Sequence, residues 1–221
     1  MKNFLKSTAI FACIALMFCA CGEDDTAVGV VKSSEDATLY SGEYRAILEW
    51  TVPEDDNITG STVSWTNNDN TSGSQTMDVL PGQEMQFQMI NLPLGDYTVT
   101  LTNRDASGGL SNTTVLYTEV YDASTYSKRA PSVDAVNFSD SGTNAEITWG
   151  SIHSDCSDVE VSYVNNNDEV VTTTRVSVDE VMLLTDAQAG QPFTYTAYFC
   201  PSQGLDEVSV TSHHKVWMRC R

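Results

Sequence analysis

The chain has 221 residues and a formal net charge of −19, from 30 acidic and 11 basic side chains. A field of this sign repels phosphate backbones and anionic lipids, which excludes nucleic acid as a partner. The acidic residues are dispersed along the chain, as on the solvated faces of folded domains, and do not form an acidic tail. The length allows one or two domains.

The N-terminal segment has the composition of a secretory signal. Two lysines within the first six residues precede an apolar run over residues 9–20, and the small Ala20 stands directly before Cys21. The apolar run is too short to span a bilayer, whereas a basic start, a short apolar stretch and small residues at the cut site are typical of a signal peptide. We therefore predict a signal peptide over residues 1–20.

The residues around Cys21 resemble a bacterial lipoprotein signal, in which this cysteine becomes the lipidated N-terminus. The run Gly22–Asp25 resembles the acidic tag of Bacteroides-type lipoproteins that are exported to the outer face of the outer membrane. The resemblance implies an outer-membrane protein, lipid-anchored on Cys21 and facing the cell exterior, with residues 21–34 as anchor and tether. Cys19 is the alternative lipidated residue, but the bulky Phe18 before it fits the peptidase less well.

Beyond residue 34 the sequence has the pattern of short strands. Valine, threonine, serine and tyrosine are abundant, and no long stretch has helical periodicity. Turn residues recur about every ten residues, which is typical of an all-β sandwich. These turns include Gly60, Asn67–Asp69, Pro81–Gly82, Gly95 and Ser107–Gly109.

An internal repeat divides the chain into two halves. The matching segments are Ala46–Trp50 and Thr62–Asp69 in the first half, and Ala145–Trp149 and Glu160–Asp168 in the second. Their offset of about one hundred residues is the size of one sandwich domain. We predict an all-β protein with two tandem sandwiches, one over residues 35–128 and one over residues 131–221.

The order of these features resembles an immunoglobulin-like sandwich of the fibronectin type III kind. A tryptophan in an early strand and an aromatic residue in the next strand precede the turn Leu92-x-x-Gly95-x-Tyr97. This turn resembles the tyrosine corner, in which the phenol bonds back to the backbone. In the second half Phe193 takes the place of the corner tyrosine and has no hydroxyl, so we expect a weaker or differently built corner there.

Several short pieces of the first half also follow one another in a recognisable order, among them Tyr40–Arg45, Asn91–Tyr97 and Val120–Tyr121. Over residues 30–130 they resemble a domain of unknown function found near the N-terminus of Bacteroides-type surface lipoproteins. That domain often precedes other modules, including discoidin-like carbohydrate-binding ones. The family has no established activity, so the resemblance implies a surface location and no reaction.

Three cysteines follow the signal region: Cys156, Cys200 and Cys220. Cys156 falls in the loop after the Trp149 strand, and Cys200 ends the Phe193–Phe199 strand. In this type of sandwich these two places lie at the same end. Cys156 and Cys200 are therefore predicted to form a disulfide in an oxidising compartment. Cys220 is then free. Alternatively, Cys220 pairs with Cys156 or Cys200 in place of that bridge.

A zinc site is the alternative use of Cys156, because His153, Asp155 and Asp158 lie beside it in sequence. The spacing matches no zinc pattern, and a disulfide would consume the thiol. The acidic turn Glu54–Asn57 lacks the Asp-x-Asp-x-Asp loop with a distal glutamate that calcium prefers. We therefore predict no metal and no cofactor.

Four aromatic residues near the domain junction or the C-terminus could stack on sugar rings: Tyr117, Tyr121, Tyr126 and Trp217. For each of them, packing in the core or between the domains is the alternative. The sequence contains no Gly-x-Ser-x-Gly elbow, His-Glu-x-x-His motif or phosphate loop, so no enzyme is predicted and no catalytic residue is named.

We expect a non-catalytic cell-surface lipoprotein that serves as a binding or spacer module of an outer-membrane glycan capture system. Its partners would be polysaccharide or other surface proteins of glycan utilisation. The alternative is a structural or adhesin-type envelope protein that engages protein partners through strand edges. The glycan hypothesis predicts exposed aromatic residues on one face, and the adhesin hypothesis predicts an uncovered edge strand.

Overall fold

The computed structural model describes residues 30–214, which form fifteen strands and one short helix. The predicted signal peptide, the lipidation site Cys21, Trp217 and Cys220 lie outside the described residues. Within the described part, no helix has the length and apolar character needed to cross a membrane.

The first half of the chain forms two antiparallel sheets that enclose one hydrophobic core. One sheet has the strand order β1-β2-β5, and the other has the order β4-β3-β6-β7. The strands are β1 Thr38–Gly42, β2 Arg45–Thr51, β3 Ile58–Asn67, β4 Ser72–Asp78, β5 Glu84–Ile90, β6 Gly95–Asp105 and β7 Thr114–Val120.

A helix, α1 Ala123–Ser127, precedes the second pair of sheets. These have the orders β13-β9-β8 and β11-β10-β14-β15, with β12 also paired to β10. The strands are β8 Val133–Phe138, β9 Ala145–Trp149, β10 Cys156–Val164, β11 Val170–Thr172, β12 Val176–Ser177, β13 Met182–Leu184, β14 Phe193–Phe199 and β15 Val208–His214.

Alternating burial along the strands follows from the pleat, which points successive side chains to opposite faces. On β2, Ala46, Leu48 and Trp50 are buried, while Ile47 and Glu49 between them are only partly covered. The same alternation appears on β9 and over the first five residues of β14 in the second half, whereas the last three residues of β14 are all buried. Trp50 and Trp149, which end the two repeated segments, are therefore both core residues.

The predicted tyrosine corner is also confirmed. The Tyr97 phenol donates a hydrogen bond to the carbonyl of Pro93 at 3.1 Å. In the second half Phe193 is buried without such a bond, and the phenol two residues later, on Tyr195, donates to the carbonyl of Pro131. The Tyr195 bond reaches 64 residues back to the start of the second half, so it does not close a turn over neighbouring residues as the Tyr97 bond does.

The predicted tether is shorter than the sequence indicated. Val31 and Ser34 are buried in the first sandwich, with 5% and 2% of their surface exposed. The Asn103 side-chain amide donates to the Lys32 carbonyl at 2.9 Å and to the Ser34 hydroxyl at 3.2 Å. Residues 31–34 therefore belong to the first sandwich, because a buried amide on β6 binds them in place.

Helix α1 begins at the N-cap residue Asp122, whose carboxylate accepts hydrogen bonds from the backbone of Ser124 and Thr125. The same carboxylate accepts a hydrogen bond from the phenol of Tyr44, in the turn between β1 and β2. The Tyr44 and Ser124 hydroxyls, with the backbone donors, lower the pKa of Asp122 to about 2. The charged carboxylate thus connects the first sandwich to the helix.

This geometry predicts an acid-dependent loss of stability. The unfolded carboxyl has a pKa of about 3.9, so the stabilisation by Asp122 is fully present above about pH 4 and is lost as the pH falls towards 2. In Asp122→Asn the amide still caps the helix, but the charge is absent. We expect the variant to be less stable than wild type at pH 6, with the difference shrinking between pH 4 and pH 2.

Urea unfolding followed by circular dichroism at several pH values measures this difference. Glu49→Gln serves as a control, because this carboxylate on the outer face of β2 accepts a hydrogen bond from Gln86 and caps no helix. A difference between Asp122→Asn and wild type that stays constant from pH 6 to pH 2 would contradict the assignment.

Candidate functional site

Tyr121 and Tyr126 were candidates for stacking on a ligand, and the structure corrects this: both pack in the interior, which was the alternative for each of them. Each side chain is only 1% exposed, so neither ring face is available to stack on a sugar. The Tyr121 phenol lies 3.2 Å from the carbonyl of Asp206 and 3.4 Å from that of Ser41. The Tyr126 phenol donates to the carboxylate of Asp155 at 3.1 Å. Both tyrosines therefore join the two halves of the chain.

The two buried rings pack on the core of the second sandwich. Tyr121 meets Tyr126 edge-on with ring centroids 5.5 Å apart, and Tyr126 packs on Phe199 at 4.6 Å. Burial raises the pKa of Tyr121, and burial together with the Asp155 carboxylate raises the pKa of Tyr126. Both phenols are therefore protonated near neutral pH, as their donor roles require.

Backbone hydrogen bonds extend this junction. Ser41 on β1 donates its N–H to the carbonyl of Gln203 at 3.1 Å, and its carbonyl accepts from the N–H of Leu205 at 2.7 Å. The Asp206 carboxylate accepts from the Arg45 guanidinium at 2.6 Å. It also accepts from the backbone N–H of Glu43 at 2.9 Å. The loop before β15 thus docks against the β1–β2 hairpin through both backbone and side chains.

Tyr117 on β7, unlike Tyr121 and Tyr126, lies at the surface. With 76% of its surface exposed, it is the most exposed aromatic side chain in the part of the chain that the structure describes. It borders a shallow cavity of about 460 Å³ that is also lined by Asn68, Asp96, Thr98 and Thr118. An exposed ring beside amide, carboxylate and hydroxyl groups can stack on a sugar ring and bind its hydroxyls.

The register of β7 against β6 places Tyr117 on the outward face of the sheet. Tyr117 pairs directly with Thr98 on the neighbouring strand β6, and both residues point away from the core. Four residues later along the chain, at Tyr121, the strand has ended and the backbone enters the junction. Sequence reasoning named both tyrosines as candidates, and only the packing at the junction separates them.

The predicted disulfide between Cys156 and Cys200 is not formed in the structure, which contains both as free thiols. Cys156 pairs with Phe199 across the sheet, so Cys200 is one residue beyond the paired position. Successive side chains alternate between faces. As a result Cys156 is buried and Cys200 is exposed, with its sulfur 3.8 Å from the Ser157 hydroxyl. The two sulfurs are on different faces of the sheet, which corrects the prediction.

The alternative zinc site does not assemble within the described residues. The carboxylate of Asp155 lies 3.7 Å from His153 Nδ1 and accepts the Tyr126 phenol, whereas the neighbouring Cys156 is buried in the second core. No group of three or more His, Cys, Asp or Glu side chains between residues 30 and 214 is arranged to hold a metal ion.

A profile for a family of domains of unknown function, DUF4998, matches residues 27–208. The chain belongs to this family. The match runs through both sandwiches of this DUF4998 protein, so the resemblance found over residues 30–130 was too narrow. A comparison with curated proteins finds no match.

Among solved structures, the DUF4998 chain is similar to a segment of two fibronectin type III domains from chicken tenascin. The identity is 16% and the TM-score 0.37, over 83% of this chain and 99% of that one. It is also similar to the FN1–FN3 domains of chicken CNTN1, with 13% identity and a TM-score of 0.41, over 84% and 68% of the two chains. By its own strands and sheets, the DUF4998 chain is an all-β protein with two pairs of antiparallel sheets.

Cys156 is buried and Cys200 is exposed, so the two thiols are predicted to react with an alkylating reagent at different rates. Desolvation, with a smaller contribution from Asp158, raises the pKa of Cys156 to about 11, so little thiolate forms at pH 8. We expect iodoacetamide to modify Cys200 in the folded DUF4998 chain and to modify Cys156 only after unfolding in urea. Peptide mapping after a timed reaction without reductant measures both sites. Equal rates, or a Cys156–Cys200 disulfide in the mapped peptides, would overturn this assignment.

Proposed function

We propose that this protein is a non-catalytic cell-surface lipoprotein whose sandwiches form a binding or spacer module in an outer-membrane glycan capture system. The single observation that supports binding is Tyr117, which exposes its ring beside Asn68, Asp96 and Thr98. The proposed place in a glycan capture system comes from the resemblance to Bacteroides-type surface lipoproteins. The non-catalytic part of the proposal follows from a sequence that lacks a recognisable catalytic motif.

The junction between the halves supports the spacer part of the proposal. Ser41 bonds to the loop before β15 through its backbone, and Arg45 forms an ion pair with Asp206 whose side chains are 35% and 26% exposed. Two sandwiches joined by such contacts hold the second sandwich at a defined distance from the N-terminal end of the chain. Two sandwiches connected only by a flexible linker would not fix this distance.

An adhesin-type envelope protein is the second candidate function. Strand β4 is at the edge of its sheet, where it pairs with β3 on one side. Its residues are Ser72–Asp78, without lysine or proline to discourage pairing with another strand. An edge of this kind can accept an extended segment from a protein partner.

The lipid anchor is tested through Cys21. We expect Cys21→Ser to move the protein from the outer-membrane fraction to the soluble fraction, because the acyl chains attached to this cysteine would provide the membrane affinity. Cell fractionation with an antibody against the mature chain measures the distribution. Cys19→Ser is the matched control and should remain in the membrane. Release of the Cys19 variant alone would assign the anchor to Cys19.

The binding proposal is tested with Tyr117. We expect the chain of residues 22–221 to bind one class within a panel of plant, host and microbial polysaccharides. Tyr117→Ala should weaken that binding at least tenfold, which corresponds to about 1.4 kcal/mol, because the stacking ring is lost. Tyr117→Phe retains the ring and should bind within about threefold of wild type.

Affinity electrophoresis in gels that contain each polysaccharide measures the dissociation constants. Absence of binding across the panel would exclude direct glycan binding and leave the spacer and adhesin roles. Cross-linking on intact cells would then identify protein partners.

A further inference from the structure

The outward face of the sheet β4-β3-β6-β7 is covered by hydroxyl groups. Its two central strands carry a hydroxyl side chain at each outward position between the strand ends. These residues are Thr62, Ser64 and Thr66 on β3, and Thr98, Thr100 and Thr102 on β6. The register places them side by side, Thr62 opposite Thr102, Ser64 opposite Thr100 and Thr66 opposite Thr98. We call this surface the hydroxyl face.

The neighbouring strands continue the same rows. On β4, Ser74 pairs with Ser64 and Thr76 pairs with Thr62. On β7, Val115 pairs with Thr100, and Tyr117 pairs with Thr98. Tyr117 therefore occupies one corner of the hydroxyl face, next to the cavity described above.

Hydrogen bonds between hydroxyls hold several of these side chains in place. Thr62 and Thr76 oxygens are 3.0 Å apart, Ser64 and Ser74 oxygens 2.8 Å apart, and Thr102 bonds to Thr113 at 3.2 Å. A hydroxyl has one donor and two acceptor lone pairs, so each pair keeps free capacity for a ligand. The groups are thus ordered before any ligand arrives.

The charges around this face lie at its borders. At one end Arg104 pairs with Asp78 at 3.1 Å. At the other end are Asp96, beside Tyr117, and Glu119, which accepts two hydrogen bonds from Arg129. No outward position between these borders carries a charge, in a chain with a net charge of −19.

This distribution of charge indicates which chemical class of partner fits the hydroxyl face. The acidic chain repels anionic polymers, and the face itself has no group that would pair with a cation. A protein partner would be expected to cover an apolar patch at the centre of the interface, and here the centre is polar. An uncharged polymer that carries many hydroxyl groups of its own satisfies each of these conditions.

We propose that the hydroxyl face binds an uncharged polysaccharide, laid flat across the four strands with one sugar ring stacked on Tyr117. This proposal rests on the glycan-binding function proposed above and specifies its ligand class. Four strands about 4.8 Å apart span about 14 Å, and three rows of alternate residues span about 13 Å along the strands. The area suits a short stretch of an extended chain.

The second sandwich provides a matched control surface. On its outward face Thr196 on β14 pairs with Thr211 on β15, with oxygens 3.0 Å apart. That face also carries charges, because Arg175 stacks on Tyr198 and pairs with Glu207 at 3.0 Å. Thr196 thus occupies an outward position on a central strand, as Thr100 does, between Thr211 on one side and Glu160 on the other, but lies outside the proposed site.

The experiment compares Thr100→Arg, Thr196→Arg and Tyr117→Ala in the chain of residues 22–221. The probes are two neutral polysaccharides, a β-glucan and a mannan, and two anionic ones, a polygalacturonate and an alginate. We expect binding to a neutral polymer, a loss of at least tenfold in Thr100→Arg and in Tyr117→Ala, and no change in Thr196→Arg. A double variant, Thr98→Val with Thr100→Val, retains side-chain shape and should weaken binding several-fold without adding charge.

The outcomes separate this proposal from the proposed function. Binding of anionic polymers only, or binding that Tyr117→Ala weakens while Thr100→Arg and the double variant leave it intact, would retain glycan binding and overturn the hydroxyl-face site. Binding to no polysaccharide would overturn both. Urea unfolding of each variant identifies a loss of binding that reflects misfolding, in which case the double variant decides.

Discussion

Strand alternation is the constraint on which the core, the tyrosine corner and the exposed faces of this protein all depend. Each strand must give one set of side chains to the interior and the other set to solvent, because the pleat turns successive residues to opposite sides. Tyr97, Val99 and Leu101 on β6 are therefore buried, and Thr98, Thr100 and Thr102 between them form part of the hydroxyl face.

The same constraint governs the cysteines. A pair of residues offset by one position across an antiparallel ladder lies on different faces, however close the backbones are. Cys156 opposes Phe199, so Cys200 lies on the far side of the sheet. A shift of one residue in this register would have placed the two sulfurs on one face.

The junction has a different physical basis, since it depends on packing between elements that are distant in sequence. Tyr121, Tyr126 and the Asp206 loop meet because the end of β7, the helix α1 and the loop before β15 converge on one place. Ring packing supplies apolar burial, and each phenol finds an acceptor there. These contacts define the arrangement of the two sandwiches, and with it the position of the hydroxyl face relative to the rest of the molecule.

The sequence by itself determined the strand pattern, the two halves and the first tyrosine corner. These follow from periodicity and local turn chemistry, which are properties of neighbouring residues. Only the tertiary structure decided which of Tyr117 and Tyr121 is exposed, and how the hydroxyls of β3 and β6 align into rows. Exposure and cross-strand neighbours depend on register and on contacts between distant segments, and periodicity along one strand carries no information about either.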